Sequence, residues 1–224
     1  MKQKNLLKWV FAAAFFIIQC FVVSQIYFYN IKIEAHWLLY ILLFIYFFAL
    51  GDMKQLFQKL RYGLSSRDFL IKTIVVFCFS FAIGMVMIYS FSNETNPIYP
   101  LWQPLYEPLL WLWIPLYTIL QPAVDNILYH KLVLGDRAGG YYLLAVIVFR
   151  TFAETGLFLL NKTSNISDNQ MIVLALFSVN TIFSICYFTS KNESFSFLVE
   201  SMYRLAMVIT VLVGMPQLLI FAVK

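Results

Sequence analysis

Apolar residues occupy most of this chain, in seven stretches separated by short polar segments. The stretches lie at 6–29, 37–50, 69–91, 109–130, 141–160, 171–189 and 197–223. A hydrophobic run of about 20 residues is long enough to cross the hydrocarbon core of a bilayer as a helix. The pattern therefore predicts an all-α, polytopic membrane bundle of about seven transmembrane helices. The second stretch is the shortest, and its loss would change the number of spans.

Two of the polar segments have distinct compositions. Segment 51–72 is strongly basic and its leucines recur at helical spacing, which predicts an amphipathic helix on the membrane surface. Segment 92–108 contains four prolines among aromatic residues, which excludes an ordinary helix and predicts an ordered loop outside the cytoplasm. We therefore divide the chain into an N-terminal three-helix part at 1–91, this loop, and a four-helix core at 109–224.

Single residues predict where some helices bend and where others begin. Pro115 and Pro122 lie inside the fourth apolar stretch and should kink it. Ser65 and Ser66 precede an Arg-Asp pair, which is typical of a loop followed by a helix start. Polar loops are predicted at 161–170 and 190–196.

The composition excludes several classes of protein. Of the 224 residues, 62% are hydrophobic and only 12% are charged, whereas a soluble domain is about one quarter charged. No soluble part is large enough to bind nucleic acid, so we expect the lipid bilayer, not DNA or RNA, to be a partner. The three cysteines lie in apolar runs at spacings that suit neither zinc nor a redox pair. We expect no metal and no cofactor.

The distribution of lysine and arginine predicts the orientation. With a cytoplasmic N-terminus, eleven of these residues fall on the cytoplasmic side and three on the other. The eleven are Lys2, Lys4, Lys8, Lys54, Lys59, Arg61, Arg67, Lys72, Lys131, Arg137 and Lys191. We interpret the chain as an integral protein of the plasma membrane. Its Lys- and Asn-rich loops and abundant Ile and Phe favour a bacterium with an AT-rich genome.

Charged residues interrupt three of the apolar stretches. They are Asp125 and His130, then Arg150 and Glu154, then Glu200 and Arg204. Two of these pairs are four residues apart and so share a helix face, as do Asn126 and His130. A lone charge at the centre of a bilayer costs roughly 2.5–3.5 kcal/mol on insertion scales. Burying the six groups costs less free energy if they contact one another, which predicts one polar cluster inside the bundle. Intrahelical salt bridges of purely structural value are the plainer alternative.

The segment from Pro122 to Gly135 resembles the first motif of the CPBP (Abi) membrane family, which includes CAAX prenyl proteases and bacteriocin-processing proteins. That motif is Pro-x-x-Glu-Glu-x-x-x-Arg, and here Asp125, Asn126 and His130 stand at the two glutamates and the arginine. The order of the following helices is also similar. The resemblance covers about residues 105–220, and it implies a helical membrane core with a water-activating site.

The departures from that motif indicate loss of catalysis. Asn126 cannot accept a proton as a general base, and the two segments that correspond to the later family motifs, 148–155 and 197–205, hold no histidine. No serine or cysteine lies beside a plausible base in the sequence. We therefore expect no catalytic residue and interpret the chain as a pseudoprotease whose former cavity holds ion pairs.

The resemblance thus favours a membrane scaffold or regulator that binds and controls another membrane protein. Candidate contacts are the exposed aromatics of the proline-rich loop and its flank, namely Tyr99, Trp102, Tyr106 and Trp111. One alternative is a divergent, active intramembrane protease for peptide processing or bacteriocin immunity, with Asp125 and Glu154 as working groups. A second alternative is a small-solute carrier that uses the buried charges.

Overall fold

The computed structural model describes residues 10, 13–19, 34–90, 110–135, 139–155 and 166–214. Within these residues every regular element is a helix, which confirms the all-α prediction. A short helical segment at 13–19 precedes seven longer elements. These are α1 (Glu34–Ala49), α2 (Asp52–Leu64), α3 (Arg67–Ser90), α4 (Leu110–Leu134), α5 (Gly140–Thr155), α6 (Ile166–Ser190) and α7 (Glu193–Gly214).

Helix α4 is continuous but changes its hydrogen-bonding pattern three times. The segments Leu110–Pro115 and Gln121–Asp125 are α-helical, whereas Leu116–Leu120 and Asn126–Leu134 are π-helical. Pro115 and Pro122 flank the first π segment, and each lacks the N–H that an α-helical ladder requires. π-helical segments within α-helices are frequent at functional sites.

The basic segment predicted as one amphipathic stretch is divided between two helices. α2 ends at Leu64 and α3 begins at Arg67, so 67–72 belongs to α3 and corrects the predicted boundary. The break falls at the predicted serine pair, where Ser66 Oγ accepts a hydrogen bond of 3.4 Å from the N–H of Phe69. Gly51 separates α1 from α2 with φ of 85°, a left-handed conformation that favours glycine.

Two predicted loops are shorter than expected. α6 begins at Ile166, so the last five residues of the loop predicted at 161–170 are helical. Of the turn predicted at 190–196, only Lys191 and Asn192 lie between helices. The cause is a cap: Asn192 Oδ1 accepts hydrogen bonds from the backbone N–H and the hydroxyl of Ser194, at 3.0 and 2.7 Å.

In the described part of the chain, no single helix is both long and apolar enough to cross a membrane alone. Trp37–Ala49 and Asp52–Leu64 reach the required length and composition together, but they are bent by 81°. Leu176–Ser190 is a shorter apolar helix. The helical architecture is thus shown, whereas the seven membrane spans remain a prediction.

The centre of the molecule is the middle of α4. Every side chain at 121–130 is buried, so this part of the helix is covered on all sides. The main apolar cluster joins α1, α2, α4, α5, α6 and α7 around it, with Tyr40, Phe47, Leu56 and Ile127 among its members. A second cluster fills the contact between α6 and α7.

The outer faces of the helices are apolar. The exposed side chains of α1 include Leu38, Leu42 and Ile45, and those of α3 include Ile74 and Phe79. α5, α6 and α7 likewise expose leucine, isoleucine or aromatic residues. So many exposed apolar side chains on five helices are not typical of a protein surface in water.

Candidate functional site

Five charged side chains from α4, α5 and α7 form one network of ion pairs. α4 supplies Asp125, α5 supplies Arg150 and Glu154, and α7 supplies Glu200 and Arg204. The Glu154 side chain is 13% exposed, and the other four are less exposed. The structure therefore brings together five of the six residues of the expected cluster, and the sixth, His130, is linked to them through Asn126.

Arg150 is the most deeply buried cation and contacts all three carboxylates. Its Nη2 donates to Glu200 Oε1 and lies 3.4 Å from Asp125 Oδ2. Its Nε lies 3.5 Å from Glu154 Oε1, across one turn of α5. The guanidinium also lies over the Phe183 ring, 5.5 Å from the centroid. Charge-assisted bonds of this kind are about twice as strong as neutral ones.

Arg204 approaches the same three carboxylates from α7. Its Nε and Nη2 donate to Glu200 Oε1 at 3.0 and 2.8 Å. Nη2 lies 3.6 Å from both Asp125 Oδ2 and Glu154 Oε1. Two guanidinium groups thus contact three carboxylates, and both of them donate to Glu200 Oε1.

Neutral polar groups satisfy the remaining carboxylate oxygens. Asn126 Nδ2 donates to Glu200 Oε2 at 3.1 Å, and Asn180 Nδ2 donates to Glu154 Oε2 at 2.8 Å. Tyr40 of α1 donates to Asp125 Oδ1 at 2.9 Å and accepts from Gln19 Nε2 at 3.0 Å. The network is therefore anchored on α1 and α6 as well as on the three helices that carry charge.

His130 forms a second polar group one turn further along α4. Its Nδ1 lies 2.8 Å from Asn126 Oδ1, and its Nε2 lies 3.3 Å from Ser184 Oγ. Asn126 Nδ2 already donates to the Pro122 carbonyl and to Glu200, so Asn126 Oδ1 must be the acceptor for His130. A neutral His130 then carries its proton on Nδ1 and accepts at Nε2 from the Ser184 hydroxyl.

This arrangement corrects one conclusion from the sequence, that no serine lies beside a plausible base. Ser184 on α6 is within hydrogen-bonding distance of His130, and Ser196 Oγ on α7 lies 3.3 Å from His130 Nδ1. The sequence could not show this because Ser184 is 54 residues from His130 along the chain. Ser184 and His130 are both fully buried, and His130 is stacked on Tyr187.

The carboxylates and the Asn126 amide of the site are engaged with partners inside the bundle. Each carboxylate contacts a guanidinium, so none is available as a base in this conformation. Asn126 uses both amide protons and its oxygen inside the site. Within the described residues, no group of three or more His, Cys, Asp or Glu side chains could hold a metal ion.

The structure describes only one of the four aromatic residues that we expect to contact a partner. Tyr99, Trp102 and Tyr106 lie outside the described residues, and Trp111 lies in the first turn of α4. The network also includes residues that the sequence did not single out, and these are Gln19, Tyr40, Asn180, Ser184 and Ser196. Buried polar residues within apolar runs were the available signal for them.

No protein-family model, no curated protein and no solved structure matches this chain.

Proposed function

We propose that this chain is an integral membrane protein without catalytic activity, which binds another membrane protein and controls its activity or location. We further propose that it is a degenerate relative of the CPBP family. The observation that carries the proposal is that Arg150 and Arg204 occupy the point where α4, α5 and α7 bring their polar residues together. In a protease of that kind, this point would have to hold free catalytic groups.

Two features support a location in the membrane. The outer faces of α1, α3, α5, α6 and α7 expose apolar side chains, which lipid would cover. The buried charges are internal and each arginine lies beside carboxylates, as is typical of charges within a bilayer. Resistance to alkaline carbonate extraction from isolated membranes tests this part, and release into the supernatant would contradict it.

The convergence of three sequence positions supports the family proposal. Asp125 and Asn126 stand at the glutamates of the first motif, and Arg150 and Glu200 lie in the segments 148–155 and 197–205, which correspond to the later histidine-bearing motifs. All four side chains lie within one hydrogen-bonded network. A site assembled from these positions and then filled with ion pairs is what a degenerate member of the family requires.

One observation favours a hydrolase as a second candidate. Ser184, His130 and Asn126 are arranged as a nucleophile, a base and an orienting group. Ser184 Oγ lies 3.3 Å from His130 Nε2, and His130 Nδ1 lies 2.8 Å from Asn126 Oδ1. Burial of Ser184 and His130 means that a helix would have to move before a substrate could reach them. A fluorophosphonate probe on membranes distinguishes the candidates: labelling that is lost in Ser184→Ala would support the hydrolase.

The scaffold proposal is tested by affinity capture of the tagged protein from native membranes in mild detergent. We expect a stoichiometric membrane protein to be retained, and to be retained equally by Asp125→Asn, because that carboxylate has a structural role. Alanine substitution of Tyr99, Trp102 and Tyr106 should release the partner. The matched control is alanine substitution of Leu38, Leu42 and Ile45, which are exposed apolar residues of α1. Absence of any stoichiometric partner would refute the proposal.

A further inference from the structure

Ten of the charged residues outside the buried network lie together at one end of the described molecule, and the two others in described helices, Glu34 and Asp168, lie near the starts of α1 and α6. The ten lie in α2, the first turns of α3, the end of α4, and the α6–α7 connection. Seven are cationic and three are anionic. They are Asp52, Lys54, Lys59, Arg61, Arg67, Asp68, Lys72, Lys131, Lys191 and Glu193. Contacts between α2, α4 and α7 hold this region, which we name the basic end, together.

Each of the three acidic residues at the basic end is paired with a lysine. Lys131 Nζ lies 2.8 Å from Asp52 Oδ1. Lys59 Nζ lies 2.7 Å from Glu193 Oε1, and Lys72 Nζ lies 2.7 Å from Asp68 Oδ2. The surplus positive charge therefore belongs to the other four cations. Of these, Lys54, Arg61 and Arg67 are exposed and have no carboxylate partner among the described residues.

The surplus cations mark the edge of the exposed apolar surface. The apolar stripe on α1 runs through Leu38, Leu42 and Ile45 to Phe48, and Lys54 Nζ lies over the Phe48 ring, 5.1 Å from its centroid. On α3, Arg67 precedes the exposed residues Leu70, Ile71 and Ile74 on the same helix face. Cations at the border of a lipid-covered surface lie at the depth of the headgroups.

We propose that the basic end binds the anionic phospholipid headgroups of the leaflet that it faces. This inference rests on the proposed membrane location. Lipid phosphate is the complementary group because Lys54 and Arg67 each adjoin an apolar stripe that acyl chains would cover, which a soluble anion does not require. α2 lies at 81° to α1, so its outer face, with Lys54 and Arg61, runs across the end of the bundle.

Native mass spectrometry of the purified protein tests the proposal. Phosphatidylglycerol and phosphatidylcholine with identical acyl chains are added at equal concentration, and the bound lipids are counted. A basic residue near a charged surface strengthens binding roughly fivefold, so we expect at least about a fivefold preference for phosphatidylglycerol. In K54Q/R61Q/R67Q that preference should fall to within about twofold, while about 0.5 M salt should weaken it in the unmodified protein.

The matched control is D68N/K72Q, which removes a salt-bridged pair from the same region without changing the net charge. This variant should keep the preference of the unmodified protein. Equal binding of both lipids by the unmodified protein, or an undiminished preference in the triple variant, would overturn the proposal. A protein that resists carbonate extraction but shows no preference refutes the lipid site alone, whereas release by carbonate refutes the membrane location.

Discussion

At the scale of single residues, Glu200 is the group on which the buried network depends. One of its oxygens accepts from both Arg150 and Arg204, and the other accepts from Asn126. Removing one partner of a buried ion pair is far more damaging than replacing the whole pair, because the remaining charge is left without compensation. Glu200 is therefore the carboxylate that both arginines contact most closely, whereas Asp125 and Glu154 lie 3.4–3.6 Å from them.

We expect Glu200→Ala to destabilise the protein by about 3–5 kcal/mol, since it leaves both guanidinium groups short of an acceptor. Glu154→Ala is the matched control, because that side chain is partly exposed and makes only long contacts with the arginines. Its cost should be about 1 kcal/mol. Unfolding in mixed detergent micelles measures both, and equal losses would show that Glu200 is not central.

The Tyr40 hydroxyl should contribute a smaller but measurable amount. Tyr40→Phe removes the donor to Asp125 and the acceptor for Gln19 within a buried site, at a cost of about 1–2 kcal/mol. Tyr62→Phe is the control, because Tyr62 is 79% exposed, and it should change stability by less than about 0.5 kcal/mol. A Tyr40→Phe variant as stable as the unmodified protein would remove Tyr40 from the network.

The sequence predicts the intrahelical part of this site and misses the part between helices. Arg150 with Glu154, and Glu200 with Arg204, are separated by four residues, so helical geometry alone puts them together. The bonds from Tyr40 to Asp125 and from Ser184 to His130 join residues 85 and 54 positions apart. They depend on how the helices are rotated and aligned against each other, which no local pattern encodes.

At the scale of elements, the junctions between helices are set by individual backbone conformations. Gly51 turns the chain by 81° between α1 and α2, and its left-handed φ leaves no strain only because it has no Cβ. The sequence identified the break before α3 correctly. It predicts the start of α7 at 197 instead of at Glu193, because the charged residues before 197 are typical of a turn, whereas the side-chain cap at Asn192 begins the helix earlier.

Gly51 and Gly140 give opposite predictions for the same substitution. A Cβ would meet no atom within 4 Å at either position, so packing does not distinguish them. Gly51→Ala should cost about 1–2 kcal/mol, because an L-residue is strained at that φ. Gly140→Ala, at the start of α5, should be neutral or stabilise by about 0.4–1 kcal/mol. Thermal unfolding of both variants measures the difference, and similar effects would contradict the conformational explanation.

At the scale of the whole molecule, charged and apolar residues occupy different regions. Ten of the charged residues outside the network lie at the basic end, the outer faces of α1, α3, α5, α6 and α7 expose many apolar side chains, and the ion pairs of the network are inside. The overall excess of apolar residues was enough to predict helices. It could not predict which polar segments would meet, because the contact of α2 with α4 and α7 is a property of the assembled bundle.

We expect α2 and the α6–α7 connection to face the same compartment, because Lys59 bridges to Glu193. In a chain with Cys20, Cys78 and Cys186 replaced by alanine, Tyr62→Cys and Thr189→Cys should react with a membrane-impermeant maleimide in inside-out vesicles. Both should be protected in right-side-out vesicles. Tyr99→Cys, in the predicted outer loop, should show the reverse, and labelling of the first two from opposite sides would contradict the packing.

The shared acceptor on α7 also has a consequence for biosynthesis. α5, with Arg150, leaves the ribosome before α7, so a nascent chain holds a guanidinium whose main acceptor has not yet been translated. Until Glu200 arrives, Arg150 has only Asp125 and Glu154 at longer distances. A chain that stops before α7 therefore holds one cation against two carboxylates and lacks the Glu200–Arg204 pair that completes the network. The last helix is therefore the element that completes the buried network, because it supplies both Glu200 and Arg204.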